Sequence, residues 1–226
     1  MTTPRTLAVV SAGLSRPSST RLLADRLAAA TARELERGGR PDGPPGEPDG
    51  VIIDVIELRE HAHAIMDAML TGFATGELER AIGRLTRADG IIAVSPLFTT
   101  TYSGLFKSFL DVLDKDALTG MPVLLGATGG TPRHSLALDY SMRPLFTYLR
   151  ADVVPTAVFA ATDDWARGGA GPDDGSAAGR DAGSLPGRID RAGRELAARV
   201  AARRHTGPAD PFGATPDFLD LLGEQS

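Results

Sequence analysis

Cysteine is missing from this chain of 226 residues. That excludes a disulfide scaffold, a thiolate zinc site, an iron–sulfur cluster and a cysteine nucleophile. It suits a reducing compartment, and a cytoplasmic protein is expected. No apolar run approaches the roughly 18 residues that cross a bilayer, so no membrane span is expected. The opening Met1-Thr2-Thr3-Pro4-Arg5 leads straight into Thr6-Leu7-Ala8-Val9-Val10, without the basic, apolar and small-residue zones of a secretion signal. Lysine occurs only at Lys107 and Lys115, so arginine supplies nearly all of the 24 basic residues. Against 29 acidic residues they leave a net charge of -5. An acidic balance with no basic stripe argues against a nucleic-acid partner.

What is present reads as one globular domain. The fractions, 42% hydrophobic and 23% charged, are ordinary for a packed core. The expected domain runs over 1–205, with a Gly-, Ala- and Asp-rich insert at about 167–187 and a tail at 206–226. Composition makes the insert a mobile loop. The tail holds Phe212, Phe218, Leu219, Leu221 and Leu222.

Short β-branched runs alternate with helical spacing. Leu7–Val10, Val51–Ile56, Ile91–Val94, Pro122–Leu125 and Val153–Phe159 read as strands. Between them, helices are expected over 18–37, 77–87, 103–113 and 135–149, with a last one over 188–204. The first carries Leu22, Leu23, Leu27 and Leu35 as its apolar stripe. Residues 58–76 show no clear period, and the proline- and glycine-rich run 38–50 can only be a connection. Alternation of this kind implies an α/β fold: a doubly wound, five-stranded parallel sheet of order 2-1-3-4-5. Such sheets bind ligands at the carboxyl ends of the strands, where strand order reverses. Three loops should meet there.

The loop after strand one, Ser11 to Thr20, holds four serines, a threonine and Arg16, and no carboxylate. A helix amino end leaves N–H groups unpaired, hydroxyls of Ser18, Ser19 and Thr20 can add donors, and Arg16 can add charge. A single serine there would be a cap; the cluster favours an anion, a single phosphate in particular. The Gly-Lys-Ser/Thr ending of a P-loop is missing. The loop after strand three, Ser95-Pro96-Leu97-Phe98-Thr99-Thr100-Thr101-Tyr102-Ser103, mixes apolar bodies with hydroxyls and suits a flat heterocycle. The plainer alternative has Ser103 capping a helix while Phe98 and Tyr102 pack inward. The loop after strand four, Thr128-Gly129-Gly130-Thr131-Pro132-Arg133-His134, has paired glycines that let backbone approach a ligand, or simply turn. His61 and His63 stand two apart with no third ligand, so no metal site is expected. No nucleophile elbow appears, and no catalytic side chain is assigned.

These residues resemble the NAD(P)H-dependent FMN reductases. Ser11 to Thr20 is similar to their phosphate loop, and Ser95-Pro96-Leu97-Phe98 with Tyr102 to Lys107 to their flavin-ring loop. Ala127 to His134, continuing through Leu138-Asp139-Tyr140 and Arg143-Pro144-Leu145, resembles the reductase component of two-component alkanesulfonate or luciferase-like monooxygenase systems, in an actinobacterial subgroup. The resemblance implies a flavodoxin-like fold, FMN with NADPH or NADH, and hydride transfer from NAD(P)H to FMN. It further implies delivery of reduced FMN to a flavin-dependent monooxygenase, and a homodimer or homotetramer. It implies that Ser11, Arg16, Ser18, Ser19 and Thr20 hold the phosphate, that Pro96, Leu97, Phe98 and Thr99 line the ring and ribityl chain, and that Thr128, Gly129, Gly130 and Thr131 contact the ring edge. Tyr140 would lie near a subunit interface. An FMN-bound quinone or azo reductase would use the same loops. A non-catalytic flavin or nucleotide carrier is the reading from another class.

Overall fold

The computed structural model describes residues 4–38, 50–167 and 183–203. The tail, most of the insert and the 39–49 connection lie outside them.

Strand β1 (Arg5–Ser11) is an inner strand of the sheet. It pairs in parallel with β2 (Val51–Glu57) on one side and with β3 (Gly90–Phe98) on the other. Beyond β3 lies β5 (Pro122–Gly129), also parallel. The fifth position is shared by two short strands, β6 (Asp152–Val153) and β7 (Val158–Ala161), both paired with β5. Pro155 falls in the gap between them and has no N–H to give the ladder. The order therefore matches 2-1-3-4-5, with the last strand broken in two. A seventh strand, β4 (Thr101–Tyr102), folds back antiparallel on the end of β3.

Helices cover both faces. Leu7 and Val9 of β1 pack with Leu23 and Leu27 of α1 (Ser19–Gly38) and with Ile189, Leu196 and Val200 of α7 (Leu185–Ala202). Ala8 and Val10, pointing the opposite way, join the second core. There they meet α2 (Ala62–Thr71), α3 (Gly76–Arg87), α4 (Gly104–Asp111) and α5 (Arg143–Tyr148). Phe106, Phe109 and Phe146 are its largest fully buried side chains. Helix α6 (Thr162–Arg167) follows β7.

Three local expectations differ from the structure. Leu22 faces outward on α1, while Leu23, Leu27 and Leu35 are buried. Residues 62–71 are helical after a 3-10 turn at Leu58–His61. Their period was hidden because Met66, Met69 and Leu70 are exposed and only Ile65 and Ala68 are buried. The expected single helix over 135–149 is interrupted. A π turn at Leu138–Met142 leads into α5, with Arg143 N–H donating to the Leu138 carbonyl. Pro144, one residue on, cannot donate, so the regular ladder restarts after it.

The close approach of α1 and α7 depends on Gly193. A Cβ there would stand 2.9 Å from Ala30 Cβ and 3.0 Å from the Thr31 nitrogen. Alanine favours a helix over glycine by about 1 kcal/mol. Backbone cannot yield as a side chain can, however, and overpacking costs about 1–3 kcal/mol. Gly193→Ala is expected to lower stability despite its better propensity, read as a fall in the urea midpoint.

Candidate active site

The sheet register brings the three loops together. Ser11 is paired with Val94, and Pro96 with Thr128. Ala12 N–H donates to the Val94 carbonyl at 2.9 Å, and beyond that bond β1 and β3 part toward opposite faces. The crevice so formed is the switch point of the sheet.

In the first loop, Ser18 Oγ accepts from Arg21 N–H at 3.2 Å, which is an N-terminal cap for α1. The same oxygen lies where a Cβ on Gly13 would stand, at 2.1 Å, so a side chain at 13 would turn the Ser18 hydroxyl out of its capping position. Ser11 is fully buried, and its Oγ has no hydrogen-bond partner among the described residues. Ser19 is exposed at the start of α1. Thr20 is buried, and its hydroxyl shares a 2.8 Å hydrogen bond with that of Thr128, 108 residues away. That bond ties the first loop to the third.

The first loop's cations are matched one for one. Arg16 pairs with Glu60 at 3.0 Å. Arg21 binds Asp25 at 2.7 Å and Glu57 at 2.6 Å. Arg59 lies 3.6 Å from Glu57 and donates to the Ser15 carbonyl at 2.9 Å. The Asp25 hydrogen bond, with help from Glu57, holds the Arg21 guanidinium above its ordinary pKa against the opposing effect of partial burial. Three arginines thus face three carboxylates. Glu57 and Glu60 gave no signal in the sequence, because Arg21 and Arg16, which they bind, lie over 35 residues away in the chain, and Arg59 reaches the Ser15 carbonyl across a similar span.

In the second loop, Pro96 is buried, Leu97 half-buried and Phe98 exposed. Ser95 Oγ accepts from Ser103 N–H at 3.0 Å, and Ser103 caps α4 by accepting from Phe106 N–H at 3.2 Å. Tyr102 packs against Phe106 with ring centres 6.0 Å apart. The plainer alternative therefore holds for Ser103 and Tyr102, and Phe98 departs from it. Thr99 and Thr100 form the tip of the β3–β4 hairpin with φ of 49° and 74°. Two left-handed residues in a two-residue hairpin are the geometry that favours Asn-Gly, and β-branched threonines there are strained.

In the third loop, Gly129 approaches Phe159, where a Cβ would stand 3.0 Å from the ring. Gly130 has open space where its Cβ would be. Thr131 is exposed and precedes a 3-10 turn at Pro132–His134. Among the described residues, no group of His, Cys, Asp or Glu is placed to hold a metal ion.

The sequence model of the NADPH-dependent FMN reductases matches residues 5–166. The chain belongs to this family. An FMN reductase (NADPH) of Pseudomonas aeruginosa is 35% identical over 165 residues, covering 73% of this chain and 81% of that one. The NADH-dependent FMN reductase SfnE of Pseudomonas putida is 33% identical, covering 74% and 82%. Among solved structures, an oxidoreductase of Corynebacterium diphtheriae superimposes with a TM-score of 0.75 at 43% identity, over 89% of this chain and 99% of that one. A WrbA-like flavodoxin of Agrobacterium tumefaciens, 16% identical with a TM-score of 0.52 over 88% and 96%, shares the fold.

The crevice fits a phosphorylated flavin. The orphaned Ser11 hydroxyl, the hydroxyl-rich turn around Gly13, the open space at Gly130 and the exposed Phe98 ring supply donors, room and an apolar surface. The Thr20–Thr128 bond can be tested by a double-mutant cycle. Removing either hydroxyl leaves the other buried and unpaired, at about 1–3 kcal/mol. Thr20→Val and Thr128→Val should each destabilise the fold, and the double variant should cost less than their sum, measured by urea unfolding.

Proposed function

We propose that this chain is an NAD(P)H-dependent FMN reductase that supplies reduced FMN to a flavin-dependent monooxygenase. The observation that carries the reductase reading is the meeting of the three loops at the switch point, in a chain of this family. The delivery step rests on the resemblance of residues 127–145 to the reductases of two-component systems. A homodimer or homotetramer is part of the same reading, with Tyr140 exposed in its π turn.

FMN, when bound, supplies two-electron chemistry: NAD(P)H, FMN and a proton become NAD(P)+ and reduced FMN. This chain's residues bind and orient. Ser18, Ser19 and the N–H groups at the head of α1 receive the phosphate. Arg16 joins them by exchanging Glu60 for phosphate. Thr20, tied to Thr128, holds the loop's shape, and the Ser11 hydroxyl, unpartnered among the described residues, joins the phosphate donors. Pro96, Leu97, Phe98 and Thr99 form one wall of the crevice. Thr128, Gly129, Gly130 and Thr131 form the other, where backbone N–H groups meet the ring edge and favour the charge that grows there on reduction. The open mouth lets the nicotinamide lie within the near-attack distance of about 3–3.5 Å.

The deciding experiment follows nicotinamide absorbance in air, with NADPH or NADH, with and without free FMN. Oxidation that requires added FMN supports a reductase that releases reduced flavin. Oxidation by a yellow protein without added FMN favours the quinone- or azo-reductase reading. No oxidation and no FMN binding leaves a nucleotide-binding protein. Arg16 gives a sharper test. Its ion pair with Glu60 is mostly exposed, at 73% and 55% of the two side chains, so it contributes little to stability. Arg16→Ala is expected to leave the melting temperature nearly unchanged while weakening FMN by about 1.5–3 kcal/mol, the value of a charge-assisted bond. Equilibrium dialysis or flavin fluorescence reads the affinity.

A further inference from the structure

The arginines at the carboxyl edge of the sheet are almost all committed. Arg16 pairs with Glu60, Arg21 with Asp25 and Glu57, and Arg59 with Glu57 and the Ser15 carbonyl. Arg143 binds Asp139 and the carbonyls of Val154 and Pro155. Arg188 binds Asp164 and the Phe159 carbonyl. Arg133 is the exception. It is exposed in the 3-10 turn after β5, and among the described residues its guanidinium makes no hydrogen bond and no ion pair. The carboxylates on the neighbouring elements do not claim it. Asp139 serves Arg143, Asp164 serves Arg188 and the Ala161 N–H, and Asp163 makes no ion pair with it. His134, beside it, is also exposed and unpartnered through its ring.

A chain that pairs its other arginines at this edge so consistently has left one uncompensated cation beside the open Gly130. Arg133 stands three positions after Gly130, which puts their Cα atoms at most about 10 Å apart, and the arginine side chain adds to that reach. A ligand that lies across Gly129 and Gly130 therefore brings its distant end to Arg133. A guanidinium presents a planar fork that matches phosphate oxygens in pairs. NADPH and NADH differ by one phosphate, on the adenosine ribose, and the relatives include reductases of both kinds.

Building on the reductase reading, we propose that Arg133, with His134 as a second donor, receives the 2′-phosphate of NADPH and makes this chain selective for NADPH over NADH. The phosphate of FMN and that of NADPH then have separate receivers. The first loop, whose charges are balanced, takes FMN by backbone and hydroxyl donors with Arg16. The third loop, whose cation is free, takes NADPH by charge.

Calorimetry on the FMN-loaded protein tests this without turnover, using 2′,5′-ADP and 5′-ADP as probes. Wild type is expected to bind 2′,5′-ADP at least tenfold more tightly than 5′-ADP, and Arg133→Ala to abolish the difference. Arg133→Lys should keep part of it, since lysine retains the charge and loses the fork. In steady state, the NADPH:NADH ratio of kcat/KM should exceed ten in wild type and fall toward one in Arg133→Ala. Equal affinity of wild type for the two probes overturns the proposal, as does equal weakening of both by Arg133→Ala. Oxidation of NADPH and NADH without preference overturns it while leaving the reductase reading in place. Failure to oxidise either cofactor with added FMN overturns both.

Discussion

The hydrogen bond from Ala12 N–H to the Val94 carbonyl is the last that β1 and β3 share, and the site depends on where it falls. Up to that point the two strands are locked in parallel register. Past it, one chain turns into α1 on one face and the other runs on into the β3–β4 hairpin and α4 on the opposite face. The same register sets Pro96 beside Thr128. It also sorts Leu7 and Val9 into one core and Ala8 and Val10 into the other. A slip of one residue would exchange those faces, so burial in two cores fixes the position of the crevice far more firmly than any contact within it.

Around that crevice, stability and binding have different supports. The Thr20–Thr128 bond is buried and belongs to the scaffold. Phe98, Thr99 and Thr100 stand in solvent, on a hairpin tip whose backbone suits glycine and asparagine. Local strain at such a tip persists because the neighbouring strands over-determine it: Leu97 pairs with Tyr102 and Phe98 with Thr101. Rigid supports below and exposed polar groups above are what a site for a flat, charged ligand requires.

Much of this was legible in the sequence. Short β-branched runs and a helical stripe are local signals, so strand order and the three loops followed from them. Ser103 as a cap was one of two open readings for the same reason, whereas Ser18, read as a phosphate donor, also caps α1. What escaped was non-local or exposed. Thr20 looks like one more loop hydroxyl, yet its partner is Thr128, and no spacing rule reaches across 108 residues. The charge balance of the first loop depended on Glu57 and Glu60, which β2 brings alongside. Helix α2 was missed because half of its apolar residues face solvent, which erases the period that marks a helix. The close approach of Ser18 Oγ to Gly13 is a contact across the turn that no local pattern marks.

β1 precedes the other strands of the sheet in the chain, although it lies inside the finished sheet. β1 ends at Ser11, and β3, which closes its second edge, begins at Gly90. A ribosome adds about 5–20 residues each second, so β1 waits on the order of ten seconds for that neighbour. During the wait its apolar residues can rest on α1, while α7, the other half of that core, lies far downstream in the chain. The growing chain thus carries an apolar strand with an open edge until β3 has been made. That leaves an inner strand of the finished sheet open to mispairing while the protein is being born.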